Sequence, residues 1–146
     1  MQENSVHMIS YLTEDTSFRF NSRRLTSRWI KEVVAHAELR LGDLSVVFCS
    51  DPYILDVNKQ YLGHDYYTDI ITFDYCEGDV LNGDLVISLD TIRTNAELFK
   101  KPYDEELHRV IIHGILHLCG LNDKGPGERE LMEAAEDAAL KLRIKH

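Results

Sequence analysis

The sequence contains 146 residues, of which 44% are hydrophobic, and its formal net charge is −9 at pH 7. This length and apolar content suit one domain over residues 1–146, and the sequence lacks the apolar run of about 18 residues that would predict a membrane helix. The acidic excess taken alone argues against a nucleic-acid enzyme, because proteins that bind phosphate backbones usually present a basic face.

The N-terminal half of the chain predicts two successive strand–helix units. The first residues lack the basic and apolar segments of a secretory signal, and Val6–Leu12 alternates weakly, as an edge strand does. Apolar positions then recur with helical spacing over Ser22–Leu41, and Gly42 is expected to end that helix. Leu44–Cys49 has the apolar character of a buried strand. A helix over Ser50–Leu62 would follow, with a serine suited to capping its first turn.

The C-terminal half predicts two strands and then three helices. Ile70–Tyr75 and Asp84–Leu89 are the strands, separated by a glycine-containing turn. Asp90–Phe99 predicts a helix, and Pro102 is expected to begin a second one with acidic residues in its first turns. A glycine-rich loop then leads into an amphipathic helix over Glu128–Ile144.

The resulting order β-α-β-α-β-β-α-α-α predicts an α/β or α+β domain with a small mixed sheet and packed helices. In this arrangement the helix that begins at Pro102 lies inside the domain. The three cysteines, Cys49, Cys76 and Cys119, form no Cys-x-x-Cys pair and are odd in number. They are expected to be buried, reduced thiols of a cytoplasmic protein.

The segment from His113 to Asp123 carries the most specific chemical pattern. His113 and His117 are four residues apart, so on a helix both imidazoles lie on one face and can reach one metal ion. Gly120 can take the left-handed conformation that ends a helix, which would let the chain return and bring Asp123 to the same ion. Three protein ligands with one open position are typical of catalytic zinc. The alternative is a pair of core histidines satisfied by hydrogen bonds.

The residue after His113 limits the chemistry of this site. Zinc proteases with the same histidine spacing carry a glutamate there as general base. Here that position is Gly114, which cannot accept a proton. A metalloprotease-like hydrolase is therefore the less favoured interpretation.

Three blocks together resemble the YbeY family of bacterial rRNA maturation endoribonucleases. His113–Asp123 resembles the family signature His-Gly-x-Leu-His-Leu-x-Gly-Tyr-Asp-His. Val57–Phe73 is similar to the block Asn-x-x-Tyr-Arg-x-x-Asp-x-Pro-Thr-Asp-Val-Leu-Ser-Phe, and Gly83–Ser88 matches the element Gly-Asp-Ile-x-Ile-Ser. The three blocks occur in the family's order, so together they are far more specific than any one of them.

The resemblance implies a zincin-like fold with a central metal-bearing helix. It also implies a zinc-dependent endoribonuclease specific for single strands, with roles in 16S rRNA 3′-end maturation and ribosome quality control. The expected partners are single-stranded small-subunit rRNA and the ribosome or ribosomal proteins, without membrane or DNA. His113, His117 and Asp123 would hold one Zn²⁺ ion, although iron, nickel or manganese also suit two imidazoles and a carboxylate.

The chain departs from the family pattern at several positions. Asp123 stands where the family has its third histidine, and Asn122 where it has aspartate. An aspartate oxygen is a competent zinc ligand, but its negative charge makes the metal a weaker Lewis acid. Leu62 replaces the family's arginine, which removes a planar cation suited to phosphate, and Tyr67 replaces its proline.

The general base is not assigned by the sequence, and two residues are candidates. His64 titrates near neutrality and could contact phosphate or shuttle a proton, although it could also be an exposed loop histidine. Asp69 could support a metal ligand or cap a turn. A rival hypothesis is a noncatalytic, zinc-stabilised ribosome-assembly factor, which Leu62 and the acidic composition favour and an open three-ligand site disfavours.

A local basic run is a feature of the charge pattern that suits RNA. Its residues lie on or before the first predicted helix, namely Arg19, Arg23, Arg24, Arg28 and Lys31. They could form an RNA-facing patch, and a solvated helix face is an equally good interpretation.

Overall fold

The computed structural model describes residues 9–63 and 68–144. The strands are β1 (Ile9–Thr13), β2 (Arg40–Cys49), β3 (Ile70–Asp74) and β4 (Val80–Ser88). The helices are α1 (Arg23–His36), α2 (Asp51–Val57), α3 (Leu89–Phe99), α4 (Tyr103–Leu118) and α5 (Glu128–Ile144). The element order and the α+β class predicted from the sequence are confirmed.

The four strands form one mixed sheet in the order β1-β2-β4-β3. β1, β2 and β4 are parallel. α1 carries the chain back between β1 and β2, and β3 does so between β2 and β4, since it runs antiparallel to β4 with Ile70 opposite Ile87. β1 is an edge strand, as predicted for Val6–Leu12, of which residues 6–8 lie outside the described part of the chain. β3 forms the other edge, next to the histidine-bearing helix.

The predicted end of α1 at Leu41 is wrong. The helix ends at His36, and Glu38 adopts a left-handed φ of 61° that turns the chain into β2. Arg40 and Leu41 then pair with β4 opposite Val80 and Leu81, so sheet pairing takes residues whose apolar spacing would also continue a helix. Gly42 lies at an irregularity of β2 and not at a helix end.

The larger core lies between the sheet and the helices on one of its faces. Side chains of α1 and α4, including Trp29 and Ile111, are fully buried against inward-facing residues of β2 and β4 such as Phe48 and Leu85. The indole N–H of Trp29 donates to the backbone carbonyl of Ala139 at 2.7 Å, which ties α1 to α5. Burial of this much apolar surface on α4 fixes the helix between the sheet and α5.

α2 covers the opposite face of the sheet over a smaller cluster that contains Ile54 and Ile71. The Ser50 hydroxyl accepts a hydrogen bond from the Tyr53 N–H at 3.4 Å, so the predicted cap is confirmed. The helix continues as a π-helical stretch over Asn58–Leu62 and ends at Gly63, whose φ is 69°. The prediction that helical structure extends to Leu62 is therefore confirmed, although the last five residues are π-helical.

None of the helices in residues 9–63 and 68–144 combines the length and apolarity needed to traverse a lipid bilayer. The three cysteines are free thiols; Cys49 is buried, while Cys76 and Cys119 are half-buried. Burial raises the pKa of Cys49 to about 12, which makes this thiol a packing group and not a nucleophile.

Candidate metal centre

α4 positions both histidines through its burial. Pro102 precedes its first residue, and the first turn carries the acidic residues that stabilise a helix N-terminus. Ten of its 16 residues are buried, so the helix cannot rotate without exposing its core contacts. The rings of His113 and His117, one turn apart, have centroids 4.6 Å apart and planes at 84°. Both are half-buried and face the same side of the helix.

Gly114 faces the sheet, away from the histidines. A Cβ at this position would lie 2.7 Å from Cδ1 of Ile70 and 2.8 Å from a methyl group of Leu85. Both distances are shorter than real carbon contacts, so α4 approaches β3 and β4 this closely because residue 114 has no side chain. Packing therefore excludes the glutamate that zinc proteases place after their first histidine.

The turn after α4 brings a carboxylate back to the two histidines. Gly120 has a φ of 104°, and the N–H of Leu121 donates to the carbonyl of Leu116 at 3.0 Å, closing the last helical turn. Asp123 Oδ2 then lies 3.3 Å from His113 Nε2 and 3.6 Å from His117 Nε2. The structure therefore brings together the three residues that the sequence named as metal ligands.

The three side chains have the spacing of a metal site. One ligand atom from each lies within 4.8 Å of the others. In a tetrahedral zinc site with bonds of about 2.0–2.1 Å, adjacent ligand atoms are roughly 3.3–3.4 Å apart, close to the two distances to Asp123. About a quarter of each side chain is exposed, which leaves one side of the group open to a small ligand. The residues present fit one divalent transition-metal ion.

Glu136 on α5 orients His113 from behind. Its Oε2 lies 2.6 Å from His113 Nδ1, while its Oε1 accepts a hydrogen bond from Arg109 Nη1 at 2.9 Å. With Nδ1–H donating to Glu136, the lone pair of Nε2 points towards Asp123 and is available to a metal. Arg109 also donates to Asp137 at 3.3 Å, so its guanidinium is held at two points.

The same carboxylates control the protonation of His113. Burial by itself would lower the pKa of His113, but the hydrogen bond to Glu136 and the negative charges of Glu136, Asp123 and Asp69 raise it above the ordinary value. A metal ion must displace a proton from this imidazole, so its affinity should fall as the pH decreases.

The two sequence candidates for proton transfer have different outcomes. His64 lies outside the described residues. Asp69 precedes β3 and is half-buried, and it lines the same cavity as His113 and Asp123, with a volume of about 310 Å³. Burial raises the pKa of Asp69, and the charge of His113 opposes this shift. Its backbone carbonyl accepts from the Ser88 N–H at 2.9 Å, which holds the residue at the end of the sheet.

The sequence analysis did not single out Glu136 or Arg109 as part of the site. One signal was available, because Met132, Glu136 and Ala139 share the buried face of α5 and only one of them is charged. A carboxylate on an apolar stripe requires a partner. The partners, Arg109 and His113, could not be predicted from the sequence, since they lie on another helix.

The five residues of the basic run, which lie on α1 or just before it, are exposed. This agrees both with an RNA-facing patch and with a solvated helix face. On α5, Arg143 donates to Asp104 at 2.7 Å and is thereby engaged within the protein.

Comparison with known proteins shows extensive similarity. The family model described as "Endoribonuclease YbeY" matches residues 8–143. Proteins named Endoribonuclease YbeY from Phocaeicola vulgatus and Bacteroides thetaiotaomicron are 67% and 65% identical over 135 residues, which is 92% of this chain and 98% of each relative. The relative of the same name from Porphyromonas gingivalis is 53% identical and covers 90% of this chain. The solution structure of a Thermotoga maritima protein is similar with a TM-score of 0.66 and 28% identity, over 93% of this chain and 89% of that one.

Proposed function

The chain belongs to the YbeY family of endoribonucleases, and from this premise we propose that it cleaves single-stranded ribosomal RNA with a metal ion held by His113, His117 and Asp123. Family membership makes the protein a hydrolase acting on RNA. The observation that carries the metal proposal is the convergence of two imidazole nitrogens on one carboxylate oxygen, at 3.3 Å and 3.6 Å.

The donor set favours zinc, because two imidazoles and one carboxylate are common ligands of catalytic zinc. When bound, the ion would supply Lewis-acid polarisation of the scissile phosphate and acidify the attacking water. Glu136 would hold His113 in the tautomer that offers Nε2, and Asp123 would lower the positive charge of the site.

An open position distinguishes this site from structural zinc, which usually has four protein ligands. Within residues 9–63 and 68–144 the group offers three, His113, His117 and Asp123, and it is partly exposed. This supports a catalytic ion over one that only stabilises the fold, and therefore the nuclease over the noncatalytic ribosome-assembly factor.

Positioning of the RNA would depend on residues around the open side. Leu62, at the place of the family's arginine, is 46% exposed at the end of the π-helical stretch and offers no charge to a phosphate. Asp69 lines the cavity beside His113 and is the residue that we propose for proton transfer, among those the structure describes. We place this activity in the cytoplasm, on precursors of the small-subunit rRNA and in contact with the ribosome.

The test is cleavage of single-stranded 16S rRNA fragments by zinc-loaded protein, with metal content measured on the same samples. The wild type should cut, and His117→Ala should lose both cutting and most bound zinc because one of three ligands is gone. His36→Ala is a matched control, since His36 lies exposed at the end of α1.

Two outcomes would contradict the proposal. A zinc-loaded wild type that leaves single-stranded rRNA intact would support the noncatalytic assembly factor. Cleavage by His117→Ala protein from which the bound metal has been removed would show that the reaction does not use the metal site at His113, His117 and Asp123.

A further inference from the structure

The arginines of this protein fall into two groups. One group lies between 2.7 and 3.8 Å from carboxylate oxygens of the protein and contains Arg40, Arg93, Arg109, Arg129 and Arg143. Within residues 9–63 and 68–144, no ion pair is formed by Lys31 or by the other group, which contains Arg19, Arg23, Arg24 and Arg28. These five unpaired residues are all exposed. Their charges are therefore available to an anion outside the protein.

The unpaired cations are concentrated in one segment. Residues 19–31 contain five basic and no acidic residues, in a chain whose net charge is −9. Arg24, Arg28 and Lys31 have the spacing i, i+4 and i+7, so they lie along one face of α1 over about 10 Å. This stripe, which we call the α1 basic face, is opposite the stripe of α1 that is buried in the core. Arg19 and Arg23 precede it in the chain.

The metal centre cannot supply the electrostatic part of RNA binding. The cavity at His113 is lined by four carboxylates, those of Asp69, Asp123, Glu133 and Glu136. Its one arginine, Arg129, is paired with Glu133 at 3.3 Å. A divalent ion would not reverse this excess of negative charge. Phosphate contacts supply most of the non-specific affinity of proteins for nucleic acids, so we expect them on another surface.

α1 adjoins the metal centre without forming part of it. Thr26 Oγ1 lies 3.2 Å from Nε2 of His108, which precedes His113 by five residues, or about 7.5 Å along α4. The Trp29 indole bonds to Ala139 on α5, three residues after Glu136. The basic face is on the far side of α1 from these contacts, about one helix diameter of 10–12 Å further out. An RNA strand in the metal centre can reach it with nucleotides several positions from the cleaved bond.

The composition of the α1 basic face favours phosphate over other anionic partners. A guanidinium group forms two parallel hydrogen bonds with a phosphate, and two of the three side chains are arginines. A protein partner would require an apolar centre in its interface, whereas the next residue on this face is the small Ala35. Binding to an anionic lipid surface requires apolar side chains that insert into it, and the apolar stripe of α1 is buried in the core.

From these observations we propose that the α1 basic face anchors the RNA substrate by its phosphate backbone, at a distance from the bond that is cleaved. The metal centre then positions the reacting phosphate, while α1 supplies the electrostatic part of the affinity. Because every nucleotide carries the same phosphate, this surface orients the RNA without selecting its sequence. The inference rests on the proposed function, in which RNA is the substrate.

The experiment measures how the affinity for RNA depends on salt concentration. A fluorescein-labelled single-stranded RNA of about 20 nucleotides is titrated with zinc-loaded protein by fluorescence anisotropy, and its integrity is checked on a gel. Each phosphate contact on a single strand adds about 0.7 to the slope of log affinity against log salt concentration. The α1 variant, Arg24→Gln/Arg28→Gln/Lys31→Gln, should therefore lower the slope by about 2. Its affinity should be about 100-fold weaker than that of the wild type at 0.1 M salt, and nearly equal at about 1 M.

A second triple variant removes the same charge elsewhere on the surface. Arg40→Gln/Arg93→Gln/Lys100→Gln changes three exposed cations outside α1, and its slope should stay within about 0.5 of the wild-type slope. Both triple variants should unfold at the wild-type temperature, because substitutions of exposed side chains change stability little. In cleavage of the same RNA, the α1 variant should have a raised KM and the wild-type kcat, since α1 does not touch the reacting atoms.

Two results would overturn the anchor. One is an α1 variant that binds RNA with the wild-type slope, which would leave an acidic protein or solvent as the occupant of this face. The other is an equal fall in slope in the second triple variant, since the effect would then follow from net charge alone. The anchor and the nuclease fail separately. His117→Ala should lose cleavage and keep the wild-type slope, whereas a wild type that binds RNA through α1 without cutting it would refute the nuclease alone.

Discussion

Glu136→Gln should weaken metal binding without unfolding the protein. Glu136 Oε2 is 2.6 Å from His113 Nδ1, and its Oε1 is 2.9 Å from Arg109 Nη1, so the carboxylate accepts from both neighbours. A glutamine has the same shape but only one accepting atom. If its oxygen faces His113, its NH₂ group opposes the guanidinium of Arg109, and in the reverse orientation it opposes the imidazole N–H.

The expected loss follows from the role of such partners. Removing the group that orients a ligating histidine typically costs 10- to 100-fold in metal affinity, or about 1.4–2.7 kcal/mol. A loss near the upper end is expected because Glu136 is 5% exposed, so water cannot easily replace it.

The assay is a competition titration of the metal-free protein with zinc and a chromophoric chelator, at one pH and ionic strength. Asp137→Asn is the matched control, since Asp137 also accepts from Arg109, at 3.3 Å, but is 62% exposed and does not touch His113. It should change zinc affinity less than twofold. Zinc binding by Glu136→Gln as tight as by the wild type would refute the reasoning that Glu136 prepares His113 for the metal.

Two further predictions concern the third ligand and the core. Asp123→Ala should lose most bound zinc, whereas Asp123→His should retain it, because both oxygen and imidazole ligands bind zinc. Elemental analysis of the purified variants measures the bound zinc. Equal zinc content in the wild type and Asp123→Ala would exclude Asp123 as a ligand. Burial lowers the pKa of His108 below its ordinary value of 6.5, with Thr26 Oγ1 at 3.2 Å from its ring. The folded protein therefore binds fewer protons there than the unfolded chain, so this contribution to stability is complete above about pH 6.5 and declines by up to about 1.4 kcal/mol per pH unit as the pH falls towards the folded pKa. The free energy of unfolding, measured in urea from pH 7.5 to 5, should depend less on pH for His108→Gln than for the wild type. Parallel pH dependences of the two proteins would contradict this role of His108.

Most elements of the fold were predictable because their signals are local. Helical spacing placed α4 and α5, and the Ser50 cap placed the start of α2. The end of α1 was not predictable in the same way. Leu41 continues the apolar spacing of the helix, and only its pairing with Leu81, 40 residues later, makes it part of a strand. A non-local contact decided between two patterns that the local sequence permits.

In the metal centre too, the residues set by local sequence were predictable and the residue set by a non-local contact was not. His113, His117 and Asp123 lie within 11 residues, so helix geometry and a glycine turn were enough to group them. Glu136 meets His113 through the packing of α5 on α4, and 23 residues separate the two in sequence. No spacing rule reports such a contact, although the charged position on the buried face of α5 indicates that a partner exists.

The geometry of α4 also explains why the general base was not readable from the motif. Successive residues on a helix point about 100° apart, so the residue after His113 cannot share its face. In this fold that neighbouring face packs on the sheet, where Ile70 and Leu85 leave no space for a side chain on Gly114. Packing, and not the reaction, therefore determines residue 114. The motif therefore names no proton acceptor, and the acceptor that we propose, Asp69, lies outside the motif in a cavity that it shares with His113 and Asp123.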